Sequence, residues 1–167
     1  MYDELTAADI RLIEDKILYL NNEYAPKLRE EVQRTRAFGD TSENFEYKSA
    51  KRLLNQTNSK IDYLKKVVDT AKIIEVKKIK DVVCLYDKVT LHIEDKNRDM
   101  EVVFVTTVRQ DSLKRIISKE SPMGKACLYH KKGEKVYVKV NETNGYYCVI
   151  KDIVPGEESD SFELTIN

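Results

Sequence analysis

Asp40, Glu43 and Glu46 fall within seven positions of one another, inside the stretch Gly39-Asp-Thr-Ser-Glu-Asn-Phe-Glu-Tyr47. Carboxylates gathered this way suit two kinds of work. One is metal binding, because magnesium prefers carboxylate and water oxygens. The other is structural. Asp40-x-x-Glu43 is a capping-box pattern, acids in a first turn are favoured by the helix macrodipole, and Ser42 is a further cap candidate. The two roles are compatible, since a cap fixes the turn that presents the acids. Glu46 reads as a solvent-facing acid and Tyr47 as a packing residue. Arg34, Arg36, Lys48, Lys51 and Arg52 flank the acids on both sides, as a solvated helical face would.

Gly39 interrupts two long helical patterns, about 35 residues on either side. Thr6-Ala-Ala-Asp9 fits a capping box at the start of the first. After it, Ile10, Ile13, Ile17, Leu20 and Tyr24 alternate steps of three and four, an a/d seam. Leu28 and Val32 continue the apolar face after a shift of phase. Pro26 falls inside this pattern and predicts a bend and not a stop. The return pattern, Tyr47, Ala50, Leu54, Thr57, Ile61, Leu64, Val68 and Ala71, keeps the seam spacing throughout. A short connection between two such helices implies an antiparallel hairpin, each arm roughly 45–50 Å long at 1.5 Å per residue. The acids then sit at a tip held far from the rest of the chain.

From about residue 80 the period becomes two. Val89, Leu91 and Ile93 predict a strand, Asp95–Arg98 a turn, and Met100–Val108 its partner. Ser121-Pro122 reads as a helix start, with a short helix over Met123–His130 that Gly124 weakens. Lys135–Val140 and Tyr146–Ile153 read as a hairpin across Asn141–Gly145. The fold class is therefore α+β. A helical hairpin over residues 1–75 precedes a compact strand-rich domain over 80–155, and residues 156–167, which lack a pattern, read as a mobile tail.

Lys plus Arg and Asp plus Glu both number 29, so the net charge is zero although 35% of residues are charged. That balance argues against nonspecific nucleic-acid binding driven by global charge, which needs an excess of cations. Cys84, Cys127 and Cys148 are odd in number, widely spaced and without a Cys-x-x-Cys pair, and His92 and His130 are far apart. This argues against structural zinc and a disulfide framework, and for free thiols in a reducing compartment. No segment approaches the ~20 apolar residues of a membrane span. A soluble, cytoplasmic protein is expected.

The stretch Gly39–Tyr47 closely resembles the signature of the Gre transcript-cleavage factors of bacterial RNA polymerase. Ile117-Ser-Lys-Glu-Ser-Pro-Met-Gly-Lys-Ala126 resembles that family's second characteristic stretch, and Lys131-Lys-Gly-Glu-Lys-Val136 the segment after it, in matching order over about 150 residues. The resemblance implies an N-terminal antiparallel coiled coil followed by a C-terminal domain of FKBP-like type. It implies an accessory factor and not an enzyme, one that enters the polymerase secondary channel and stimulates cleavage of a backtracked transcript.

Asp40 and Glu43 match the family's paired acids, implied to hold a magnesium ion shared with the polymerase and to position a water. The isolated chain is expected to bind the ion weakly and to be a monomer. Arg36, Lys51 and Arg52 match a basic patch facing the nascent RNA. Ser121, Pro122 and Met123 match a loop that docks on the polymerase, although Ser121 and Pro122 also suit a helix cap. Phe45 departs from the small residue usual at its position. That departure leaves room for a second reading, a channel-occupying modulator that does not promote cleavage. A plain coiled-coil scaffold is a third. A prolyl isomerase is disfavoured, because fold does not carry function and no aromatic-lined proline pocket is legible.

Overall fold

The computed structural model describes residues 3–39, 43–159 and 161–166. The chain divides into two units, one formed by Ala7–Lys72 and the other by Glu4–Thr6 with Ile73–Ile166.

The first unit is the helical hairpin. Helix α1 (Ala7–Tyr19) runs into a π-helical turn (Leu20–Tyr24) and then α2 (Ala25–Arg36). Helix α3 (Phe45–Thr70) returns. Ile13, Leu20, Leu28, Ala50, Thr57, Ile61 and Leu64 are buried, so most of the seam forms as its spacing predicts. Ala25 is buried after the π-helical turn, and near the end of α3 Val67 is buried while Val68 is half-buried. At 1.5 Å per residue α3 is about 39 Å long, shorter than the seam suggested. Its first turn begins only at Phe45, and Ala71 is already extended (φ −64°, ψ 141°).

The phase shift has a local cause. A plain helix would carry the seam from Tyr24 to positions 27 and 31, which are Lys27 and Glu31. The apolar residues sit one position later, at Leu28 and Val32. The π turn absorbs that extra residue, with Ala25 N–H donating to Leu20 O, five positions back. Pro26 then falls in the first turn of α2, where its missing donor costs little. Tyr24 and Ala25 keep right-handed helical dihedrals, so the chain does not stop at the proline.

The second unit is built on a five-stranded sheet. Its strands are β3 (Lys88–Ile93), β4 (Arg98–Val105), β5 (Ile116–Ser118), β6 (Lys135–Lys139) and β7 (Gly145–Val154), in the order β5-β4-β3-β7-β6. Only β4 and β5 are parallel. Two short segments precede the sheet, β1 (Glu4–Leu5) and β2 (Lys72–Ile73), and within this unit Ile74 N–H donates to Leu5 O at 2.9 Å. Val89, Leu91, Val102, Phe104, Val136, Val138, Cys148 and Ile150 form the core with Cys127 and Leu128. Helix α4 (Pro122–Cys127) packs on β5 and β6.

Three expectations need correction. Strand β4 ends at Val105, because Thr107–Arg109 form a 3-10 turn. Helix α4 ends at Cys127 and does not reach His130, because Tyr129 takes a left-handed φ of 68°. The segment after Pro155, read as a mobile tail, is tied to the domain at several points. The fully buried Arg109 donates to Ser159 O (3.0 Å), Phe162 O (2.9 Å) and the Glu158 carboxylate (3.0 Å). The Phe162 ring meets Tyr86 edge-on at 5.1 Å, and Thr165 N–H donates to Val108 O. The tail has no periodicity because side chains scattered through the domain hold it.

All three cysteines are free and buried. The Cys127 and Cys148 sulfurs are 4.0 Å apart. Their shared hydrogen bond, followed by burial, pushes the Cys127 thiol well above its ordinary range. Among the described residues no helix is long and apolar enough to cross a membrane.

Candidate functional site at the hairpin tip

The end of α2 and the start of α3 are joined by one side chain. Asn44 sits in extended conformation (φ −85°, ψ 97°), and its Oδ1 accepts from Tyr47 N–H at 3.0 Å, the N-cap bond of α3. Its Nδ2 donates to Thr35 O at 2.7 Å. Thr35 is fully buried, and its hydroxyl donates to Glu31 O at 2.8 Å. Phe38 N–H also donates to Thr35 O at 3.1 Å, and Gly39 takes a φ of 121° that a side chain would strain. The tip is thus closed by an amide that bonds both helices.

This corrects the capping alternative. Asn44 caps α3, so Glu43 lies one position before the cap and stands exposed in the turn. Asp40 and Ser42 lie outside the described residues. Glu46 is exposed in the first turn of α3, and Tyr47 is half-buried with the Lys51 ammonium 5.8 Å from its ring centre.

The cations of the flank are exposed. Lys48, Lys51 and Arg52 line an open groove of about 530 Å³ on α3, together with Asn55, Gln56 and Ser59. Arg36 is exposed in the last turn of α2. Arg34 forks onto Glu31, with Nε donating to Oε2 at 3.0 Å, and those bonds hold the Glu31 carboxyl below its ordinary range. The Arg34 guanidinium also lies 5.2 Å from the Phe38 ring centre.

In the other unit, the Ser121 hydroxyl accepts from Gly124 N–H at 3.0 Å and Pro122 occupies the first turn of α4. The capping role of Ser121 and Pro122 is therefore present. Pro122 is exposed, and Met123 lines a cleft of about 200 Å³ with Ile93, Asp95, Lys96, Arg98, Met100 and Tyr146.

Two family models match the chain in sequence. One, described as transcription elongation factor, N-terminal, covers residues 4–73, and the other, transcription elongation factor GreA/GreB, C-term, covers residues 76–154. The chain belongs to the GreA/GreB transcription elongation factor family. Transcription elongation factor GreA of Thermoanaerobacter pseudethanolicus is 34% identical over 137 residues, covering 81% of this chain and 87% of that one. GreA of Mesoplasma florum is 32% identical over 151 residues, covering 89% and 96% respectively. Among solved structures, the GreA factor homolog 1 (Gfh1) of Thermus thermophilus is 21% identical and covers 93% of this chain and 100% of that chain, with a TM-score of 0.42.

This Gre-type chain thus acts in transcription elongation. Of the residues singled out in its sequence, Lys51 and Arg52 share one groove on α3, while Arg36 stands on α2. Sequence reasoning missed Asn44, Thr35 and Phe38. A signal for Asn44 was available: asparagine is a strong N-cap residue, and this one directly precedes the seam of α3. Two nearer-looking capping patterns hid it.

Proposed function

We propose that this Gre-type chain binds RNA polymerase, carries its hairpin tip into the secondary channel and stimulates cleavage of the transcript in backtracked complexes. Asp40 and Glu43 are the residues that would hold a magnesium ion shared with the polymerase. Such an ion supplies charge that activates an attacking water or stabilises a leaving oxygen in phosphodiester hydrolysis. The observation that carries this reading is the cap of α3. Asn44 fills that role, so the Glu43 carboxylate stands exposed outside the helix and is available to another site. An exposed carboxylate with water as co-ligand is the donor chemistry magnesium accepts, and it explains why the ion is shared and not caged by this chain alone.

Arg36, Lys51 and Arg52 are the groups offered to the phosphates of the extruded RNA end, and Ser121, Pro122 and Met123 the docking loop on the polymerase. The test is a backtracked polymerase complex with magnesium present. Wild-type chain shortens the transcript, and Asp40→Asn and Glu43→Gln each largely abolish shortening while still binding polymerase. Cleavage left intact in both variants sinks the assignment. A second reading, a channel-occupying modulator that does not promote cleavage, draws on Phe45, which is 84% exposed beside Glu43. It predicts occupancy without cleavage by the wild type.

A further inference from the structure

We propose that Phe45 and Phe38 form a stacking platform for an unpaired nucleobase at the extruded transcript end, an inference that rests on the tip working inside a backtracked polymerase. Phe45 is 84% exposed and Phe38 is 56% exposed. One exposed apolar side chain needs no explanation. Two phenylalanines bracketing the same loop, among exposed Arg34, Arg36, Lys48, Lys51 and Arg52, form a pattern with a chemical meaning. Cations that track a phosphate backbone, combined with aromatic rings that take bases, are the means by which single strands are held without sequence readout.

The details favour a base over other occupants. Glu43 and Glu46 flank Phe45 in sequence and are exposed, so they repel phosphate from that ring. A neutral base face is not repelled. An apolar protein face laid over Phe45 would also have to desolvate Arg34, Glu31 and Glu46, which share its groove with Leu28 and Leu53. A base can stack on one ring and leave those charges in water. The groove measures about 520 Å³, within the range of ~300–1,000 Å³ typical of ligand clefts. Arg34, which lines that groove with Phe45, also holds its guanidinium 5.2 Å from the Phe38 ring centre, so one arginine borders both rings.

The test uses backtracked polymerase complexes whose RNA carries 2-aminopurine at the 3′ end, read before magnesium is added so that the labelled end is not cut away, since stacking quenches its fluorescence. Wild-type chain is expected to quench it. Phe45→Trp is expected to retain quenching. Phe45→Leu keeps the apolar character but cannot stack, and is expected to lose it. The apparent affinity of Phe45→Leu for the complex should fall by about 5- to 150-fold, the conversion of ~1–3 kcal/mol per stacked base. Phe38→Leu should show a smaller loss in the same direction. Because both rings are exposed, the variants should match wild-type helicity at 222 nm.

Equal quenching by wild type and Phe45→Leu overturns the proposal. If the wild type still cleaves in that case, the cleavage reading stands without it. Phe45-dependent quenching without cleavage supports the platform and overturns the cleavage reading instead.

Discussion

Replacing Asn44 by alanine removes both bonds that join the helices at the tip. The N-cap bond to Tyr47 N–H at 3.0 Å is of a kind whose loss costs ~1 kcal/mol. The bond from Nδ2 to Thr35 O at 2.7 Å is neutral and contributes ~0.5–1 kcal/mol more. That is the lower half of the usual ~0.5–1.5 kcal/mol for such a bond, because Thr35 O keeps the Phe38 N–H as a donor. The sum is about 1.5–2 kcal/mol. With a urea dependence of ~2 kcal/mol per molar, the unfolding midpoint should fall by about 0.8–1 M.

Circular dichroism at 222 nm is the suitable probe, since α1, α2 and α3 supply most of the helix. Asn44→Asp separates the two bonds. Its carboxylate still accepts from Tyr47 N–H but has no proton for Thr35 O, so its midpoint should lie between wild type and Asn44→Ala. A midpoint for Asn44→Ala within 0.2 M (about 0.4 kcal/mol at the same slope) of wild type would refute the clasp. So would an Asn44→Asp chain as unstable as Asn44→Ala.

Gly124→Ala should destabilise the strand-rich unit by roughly 1–3 kcal/mol, read as a lower thermal midpoint, because a Cβ there would meet Ser118 O at 2.6 Å and Lys119 O at 2.7 Å, both backbone atoms. Arg109→Met keeps the buried stem volume but leaves Glu158 and two carbonyls without the guanidinium. A cost of about 3 kcal/mol is expected, with faster cleavage after Glu157, Glu158 and Glu163 by a glutamate-specific protease, and unchanged proteolysis would refute the tie. The Asp99 carboxyl is held below its ordinary value of 3.8, first by its hydrogen bond to His92 and then by Lys151. A depressed carboxyl stabilises the fold fully above 3.8 and loses that contribution as pH falls through the lowered folded value. Carboxyl titration by carbon NMR should place the Asp99 midpoint below 3.8, and His92→Ala should move it upward.

The hairpin was legible because a repeated seam is a redundant signal: Ile13, Leu20, Ile61 and Leu64 each report the same face, and all are buried. Strands β3, β6 and β7 were legible for the same reason, with period-two alternation on paired neighbours. Strand β5 was not. It spans three residues and pairs in parallel with β4, so its existence depends on a contact that no local pattern announces. The Arg109 ties to the tail also span about 50 positions, beyond any local reading. At the tip, five cap-type residues within six positions, Gly39, Asp40, Thr41, Ser42 and Asn44, gave several consistent helix starts, and only the geometry of Thr35 and Tyr47 selects Asn44. Gly124 looked like a helix breaker and is instead the one residue that fits against Ser118 and Lys119.

The π turn at Leu20–Tyr24 makes the hairpin tolerant of a change in its own length. A π turn is an α-helix with one residue too many, carried as a local bulge between two faces that otherwise agree. Removing a single exposed residue there, such as Asn22, would let the turn relax to ordinary helix. Leu28, Val32 and Thr35 would then stand where a plain seam continuing from Leu20 would put them, with Ala25 taking the seam position that Tyr24 now holds. A deletion in the middle of a long coiled coil normally scrambles every contact beyond it. Here it should leave the face of α2, and the orientation of the Asn44 clasp beyond it, unchanged.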